Sequence, residues 1–501
     1  MRGENQAPAG TSARAAGEAR GPRLSQLWAI AAVAVPLAVL SAAPIVAVDL
    51  AYHIRAGEMM LDSHRILRTD PFLSWTLGQP WLDQQWGAQL LLDLAYRSAG
   101  WFGLATLRAL SDALSLILIF LACRAAGAGR RAAAFLTLGS AVFLAAESLR
   151  PESFALPCFA AIAWLVAGRS EHPARLWWAI PIQIVWANVH GSFFLGPALL
   201  ALGGLDDLVR HTGAARRVFG VGAVALLATL MNPFGWRVWP YVFTVGTNPL
   251  IRETVREWQP PTVRNWVGIA FFASVALVAA LFARRRKPVA WVGLLALALF
   301  FAMTLTAMRH MLWWALAAPV VVAGLLASPK QPPKEPARDP AGPLNVVIAG
   351  LLAVTSLVPM VRWAPYTGTE PPANLVAYAP AGITGELRQL LSPGERFFNA
   401  QEWGSWFELV LPQNPVLADS RFELIPRDVW NEYVAVSEGR EGWQEILARW
   451  HVSVVALARD QQRDLIPIIR DDPGWQLFYQ DGDGFIFTRS EGVDSTAGSG
   501  V

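Results

Sequence analysis

Cysteine and charge are both scarce in this chain. Only two cysteines occur in 501 residues, Cys123 and Cys158, and both fall inside apolar runs. That argues against a disulfide framework or a cysteine-based metal site and leaves packed thiols. Charged residues make up 16%, and the net charge of +3 comes from basic residues spread mostly through short loops. No nucleic-acid partner follows from such a balance. No internal repeat is visible, which counts against the paired halves of many transporters. What the chain does hold is 54% hydrophobic residues, 23 tryptophans and a mean hydropathy of +0.35. This composition defines a polytopic membrane protein, and the length prior of two or three domains gives way to bilayer geometry.

In chain order, residues 1–23 are Ala/Gly/Arg-rich without apolar periodicity and read as a disordered cytoplasmic tail. The run 24–48 reads as an uncleaved anchor, because cleavage near Ser41-Ala42-Ala43 would cut just before a motif-rich loop. A short interfacial helix is expected at 87–98. Spans are expected at 102–123, 131–148, 151–168, 175–189, 191–210, 215–231, 265–283, 288–306, 309–327 and 344–362, about eleven crossings with the anchor. Lys and Arg then fall in alternate loops (Arg124/Arg130/Arg131, Arg169/Arg175, Arg210/Arg216/Arg217, Arg284 to Lys287, Lys330/Lys334/Arg338) on the side of the basic N-terminus. That side is expected to be the cytoplasm. Segment 328–343 is a Pro-rich linker. Residues 363–490 read as a small extracytoplasmic α/β domain, with helices near 383–391 and 440–450, a buried strand at Val452–Leu457 and a hairpin across Gln480–Gly484, before a mobile tail at 491–501.

On this map the polar clusters gather on the outer face. In Asp49–Trp86, helical spacing puts Leu50, Ile54 and Leu61 on one stripe, with Asp49 and His53 sharing a flank and Arg55, Glu58 and Asp62 opposite. The pattern suits a helix at a membrane surface, though a solvated amphipathic loop helix has the same signature. The outer side also carries Glu147 to Glu152, Trp186 to Gly191, Met231 to Arg237, Arg256 to Gln259 and Arg309-His310. Singly, each has a structural account: His190-Gly191 as a tight turn, Asn232-Pro233-Phe234-Gly235 as another, Arg150-Pro151 as a helix start. Jointly they describe a cavity wall. Arg55, Arg68, Arg150, Arg237, Arg309 and His310 suit a phosphate. Asp49 suits a general base, with Asp83 or Asp70 orienting it or binding a divalent cation. Trp75, Trp81, Trp86, Trp236 and Trp258 suit sugar stacking or, equally, an interfacial belt. The exception to the outer-face pattern is Asp112, expected to pair with Arg108 one turn away.

These features resemble the GT-C superfamily of polyprenyl-linked glycosyltransferases, and more closely a group of bacterial multi-pass proteins related to it. The resemblance rests on Asp49…His53, Thr69-Asp70-Pro71-Phe72, Pro80-Trp81…Trp86, Arg150-Pro151, Asn188…His190-Gly191, Asn232-Pro233…Gly235 and Glu257-Trp258. In the C-terminal region it rests on Phe398-Asn399…Trp403-Gly404 and Asp419…Arg421. It departs from relatives at Gln84-Gln85, where a carboxylate or His–Glu pair often precedes the tryptophan; this shifts weight onto Asp83. The resemblance implies a GT-C-like helical fold in a bacterial inner membrane. It also implies inverting sugar transfer from a polyprenyl-phosphate-sugar lipid to a glycan, lipid or protein acceptor on the outer face. Asp49, Asp83, His53 and Asp70 would serve catalysis, and Arg55, Arg68, Gln85, Trp86, Arg150, Asn188, His190, Asn232, Arg237, Glu257, Trp258, Arg309 and His310 substrate binding. No cofactor is certain, and a divalent cation stays open. Alternatives are an outer-face oligosaccharide ligase or polymerase using lipid pyrophosphate donors, and a lipid-linked sugar transporter. The transporter is disfavoured because ionisable residues sit at the outer helix ends.

Overall fold

The computed structural model describes residues 22–284, 291–327, 341–372 and 375–490. All but the last two residues of the expected disordered tail, most of the Pro-rich linker, the basic residues Arg285 to Lys287 and the expected mobile C-terminus lie outside the described residues. A helix stands at each position where a crossing is expected. Among the described residues six are long and apolar enough to cross a membrane: Leu24–Ala42, Trp86–Ala125, Gly191–Val209, Trp266–Ala283, Met308–Leu326 and Pro343–Arg362. Pro151–Ala167 and Trp291–Thr306 are apolar but shorter, and Arg130–Leu144, Ala179–Val189 and Ala215–Ala228 are shorter still. Length and apolarity alone therefore do not reach the expected eleven.

Three helices position the site: α1 (Leu24–Ala42), α2 (Leu50–Ser63) and α3 (Trp86–Ala125). The expected interfacial helix and the first span after it are the two halves of α3, which is broken at Ala99–Gly100. Gly100 has φ +54, and a Cβ there would strike the Thr367–Gly368 backbone. Glycine alone satisfies both demands. Arg108, expected to pair with Asp112, instead donates to the carbonyls of Leu40 (3.0 Å), Ala43 (2.5 Å) and Pro44 (3.1 Å). The end of α1 leaves carbonyls without intrahelical partners, and a buried guanidinium satisfies them with the favourable sign for a helix C-terminus. Helix α3 packs along Pro151–Ala167. Nearby, Phe159 meets Trp186, Phe300 and Trp313 at centroid distances of 5.5–6.2 Å.

The C-terminal region is built on a four-stranded sheet: β1 (Phe397–Asn399), β2 (Val454–Ala458), β3 (Trp475–Gln480) and β4 (Gly484–Arg489), in the order β1-β2-β4-β3. Strand β1 runs parallel to β2, and the other pairs are antiparallel. The expected buried strand and hairpin are β2 and β3–β4, and the two expected helices are Ala381–Leu390 and Trp443–Arg449. Strand β1 and the helices Gln401–Val410, Arg427–Ser437 and Leu465–Asp471 are additions. The hairpin turn closes because Asp481 Oδ1 accepts from the amides of Asp483 (2.9 Å) and Gly484 (3.0 Å).

This region is fastened to the loops that follow α1 and α2. Backbone bridges join Ile45 to Val376 and Leu73 to Val416, and Trp75 Nε1 donates to the Leu417 carbonyl at 2.8 Å. The centre of the joint is Arg421, 2% exposed, which pairs with Asp419, Glu408 (3.1 Å) and Asp70 (2.8 Å). Its guanidinium also sits about 5 Å from the ring centroids of Tyr52, Phe72 and Trp81. A charge so deeply buried persists only with partners of this kind.

Candidate active site

Between the helix ends and the C-terminal region lies a cavity of about 930 Å³. It is lined by apolar membrane-helix and loop residues such as Phe143, Val242, Phe243, Met303, Leu312 and Trp313, and by Tyr378, Gln401, Glu402, Ser420, Arg421 and Glu423 of the C-terminal region. Asp49 lines it too. It is the residue immediately before α2, where an aspartate ordinarily caps the helix, yet its side chain makes no cap bond and stays 27% exposed. Burial pushes its carboxyl up, but the facing His53 imidazole and the Arg150 charge outweigh this and hold it at about 2. The carboxylate is ionised at any physiological pH.

His53 stands behind Asp49, 1% exposed, with Nε2 3.7 Å from Asp49 Oδ2. Burial lowers its pKa, against the opposing pull of Asp49. Its Nδ1 meets Gln89 Nε2 at 3.2 Å, and the same amide nitrogen donates to Asp83 Oδ1 at 2.8 Å. Asp83 touches the cavity but is 2% exposed; burial pushes its carboxyl up to about 7, against the pull of Gln89 and Arg421.

The second cluster is an ion network at the helix ends. Arg150 pairs with Glu147 (3.2 Å), Glu152 (3.2 Å) and Glu257 (2.9 Å), and Arg309 with Glu152 (2.8 Å) and Glu257 (3.0 Å). The Arg309 guanidinium also covers the Trp258 ring at 4.7 Å. Three carboxylates share two arginines. Burial above all, then repulsion from Glu152 and Glu257, pushes Glu147 up to about 8 despite Arg150. His190 lines the cavity beside this network; burial drops it to about 4, and its Nδ1 accepts from the Ser192 hydroxyl (2.8 Å) and amide (3.2 Å). His310 Nδ1 donates to the Met303 carbonyl at 2.8 Å. Buried polar atoms without a hydrogen-bond partner gather around the cavity: Asp83 Oδ2, Arg150 Nε, Glu152 Oε1 and Ser420 Oγ on its wall, His53 Nε2 and Gln89 Oε1 behind. Native proteins leave few such atoms, and a concentration of them marks a site built for a polar ligand.

The structure thus brings Asp49, Asp83, Gln85, Arg150, His190, Glu257, Trp258, Arg309 and His310 to one cavity, with His53 directly behind it. The other expected residues are placed elsewhere. Asp70 is not catalytic in geometry: its oxygens accept from the amides of Phe72 and Leu73, from the Thr76 hydroxyl and from Arg421. Arg55 turns to Glu58 at 2.5 Å, and Arg68 to the Pro233 carbonyl and the Phe234 ring. Arg237 lies exposed outside the cavity. Trp86 donates to Asn188 Oδ1 (2.8 Å), Asn188 donates to the Ile184 and Met231 carbonyls, and Asn232 to that of Ala187; together they lace helix ends to each other. Of the five tryptophans considered for stacking, Trp81 and Trp258 line the cavity. The expected cationic rim is accordingly corrected to Arg150 and Arg309, already engaged by glutamates, with His310 and Arg256 beside them. Sequence reasoning missed Gln89, Tyr241, Tyr378, Gln401, Glu402 and Glu423. For Gln89 the available signal was a polar residue interrupting the apolar run Ala88 to Leu92. Among the described residues no group of three or more His, Cys, Asp or Glu side chains is arranged to hold a metal ion.

No protein-family model matches the chain, and no curated protein matches it by sequence. In fold it is similar to the crystal structure of the oligosaccharyltransferase of Archaeoglobus fulgidus in the apo form. The match has a TM-score of 0.50 at 12% identity, over 93% of this chain and 74% of that one. This likeness in fold agrees with the GT-C-like fold that the residues quoted for the resemblance imply.

Proposed function

We propose that this chain is a membrane glycosyltransferase that moves a sugar from a polyprenyl-phosphate-linked donor to an acceptor on the extracytoplasmic face. The observation that carries the reading is Asp49: an ionised carboxylate lining a cavity whose apolar residues suit a prenyl chain and whose polar residues suit a hydroxyl-bearing acceptor. In the reaction the acceptor oxygen bonds to the anomeric carbon as the bond from that carbon to the phosphate oxygen breaks, with inversion. The acceptor proton passes to Asp49, and the electron pair leaves with the lipid phosphate. A carboxylate held near 2 is a weak base, which fits an acceptor that loses its proton late, once the sugar carries cationic character.

Charge on the leaving phosphate calls for donors fixed in a site sheltered from water. Arg150 and Arg309 supply them, and the raised pKa of Glu147 favours its neutral form, which leaves two carboxylates for two arginines. A neutral network of this kind exchanges a glutamate contact for a phosphate contact at little net cost in charge. Basic residues in alternate loops support a cytoplasmic N-terminus and an outer location for the cavity. The lipid that copurifies with the protein, identified by mass spectrometry, tests the donor. A polyprenyl-phosphate sugar supports the proposal. A polyprenyl pyrophosphate oligosaccharide favours the ligase reading, to which the likeness in fold to an oligosaccharyltransferase lends support.

A further inference from the structure

The polar chain behind Asp49 contains a residue with no role in the reaction as written. Helices α2 and α3 close on each other at Gly57, where a Cβ would strike the Gln89 carbonyl and Asp93 Cβ. One turn before Gly57 on α2 is His53, so the close approach aims its imidazole at the Gln89 side chain. The Gln89 amide nitrogen has two hydrogens. Asp83 Oδ1, at 2.8 Å, takes one; the other points to His53 Nδ1 at 3.2 Å. An Nδ1 that receives a hydrogen bond carries no proton, so a neutral His53 has its proton on Nε2. That atom is buried, has no partner within hydrogen-bond distance, and faces Asp49 Oδ2 at 3.7 Å. Around the pair lie the Tyr52 ring, 4.0 Å from that of His53, and the charges of Arg150 and Arg421.

We propose that Gln89 is a positioning residue: anchored by Asp83, it fixes His53 in the Nε2–H tautomer, whose single donor faces one oxygen of Asp49 at 3.7 Å and turns the other to the acceptor. The inference rests on the reading of Asp49 as the base. With the opposite tautomer a lone pair would face the carboxylate, repelling it and turning it out of line. Glutamine is needed because leucine or methionine of similar size offers no donor, while glutamate places a second acceptor against Asp83.

The test is selective ¹⁵N-histidine NMR of the purified full chain in detergent, with the His53 signals assigned through His53→Gln. Protonated and unprotonated ring nitrogens have distinct shifts. The expected wild-type spectrum has His53 protonated on Nε2 alone, with the tautomers mixing in Gln89→Leu and Gln89→Met. Asp83→Asn keeps an acceptor oxygen for the Gln89 amide and is expected to keep the tautomer. In transfer assays Gln89→Leu is expected to lower kcat by about 10–100-fold with KM little changed, as for other residues that orient a reacting group at one remove. A proton on Nδ1 in the wild type, or a tautomer indifferent to both Gln89 substitutions, overturns the proposal; the wild-type spectrum decides even if one variant fails to fold. If the spectra are as expected but Asp49→Asn keeps full activity, the reading of Asp49 falls while the placement of His53 stands.

Discussion

Two buried clusters with similar ingredients do different work, and the difference lies in what each side chain can reach. Arg421 is enclosed by Asp70, Asp419, Glu408 and three aromatic rings, so its charge is wholly spent within the protein. Arg421→Ala leaves three carboxylates together without their cation. It is expected to destabilise the protein by about 3–5 kcal/mol, seen as a marked fall in the thermal midpoint in detergent; an unchanged midpoint would contradict this role. Glu147 belongs to the other cluster, facing Arg150, Glu152, Glu257 and Arg309. Its pKa is raised from 4.5 unfolded to about 8 folded, so its contribution to stability is fully present below about 4.5 and is lost as pH rises through 8. The midpoint is expected to fall between pH 5 and 9, and Glu147→Gln to remove that share of the fall; an identical pH profile in the variant would refute it. The sequence shows which residues carry charge, and Asp49 with His53 was legible from their four-residue spacing beside an apolar stripe. It does not show where a long side chain finds its partner. Arg55 meets Glu58 one turn on, while Asp70 meets Arg421 from 351 positions away. Only the second was beyond local reasoning.

At the scale of elements, the helices were legible because a bilayer demands long apolar runs in which every backbone group is satisfied internally. So was one of their junctions. The expected interfacial helix and its following span are separated at Ala99–Gly100, where the positive φ of Gly100 turns the chain while the Thr367–Gly368 backbone lies against its Cα. Gly100→Ala is expected to cost about 1–3 kcal/mol from backbone strain, with the clash adding to it. Thermal unfolding checks this; a midpoint equal to the wild type's would show that the break in α3 tolerates a side chain. Strand β1 was invisible for a simple reason. Three residues carry too little alternation to be recognised, and Phe397–Asn399 is a strand because β2 lies beside it.

The whole molecule places an ionised aspartate in a cavity shared by membrane helices and a C-terminal α/β region, with Arg421 fixing one to the other. The GT-C fold accounts for the architecture, while the case for sugar transfer rests on the cavity itself. The most direct measurement compares wild type and Asp49→Asn, in membranes supplied with labelled polyprenyl-phosphate sugar, at equal amounts of folded protein. Removing a general base is expected to slow transfer by about 10²–10⁴-fold with donor binding retained. Transfer by Asp49→Asn at the wild-type rate would contradict the account.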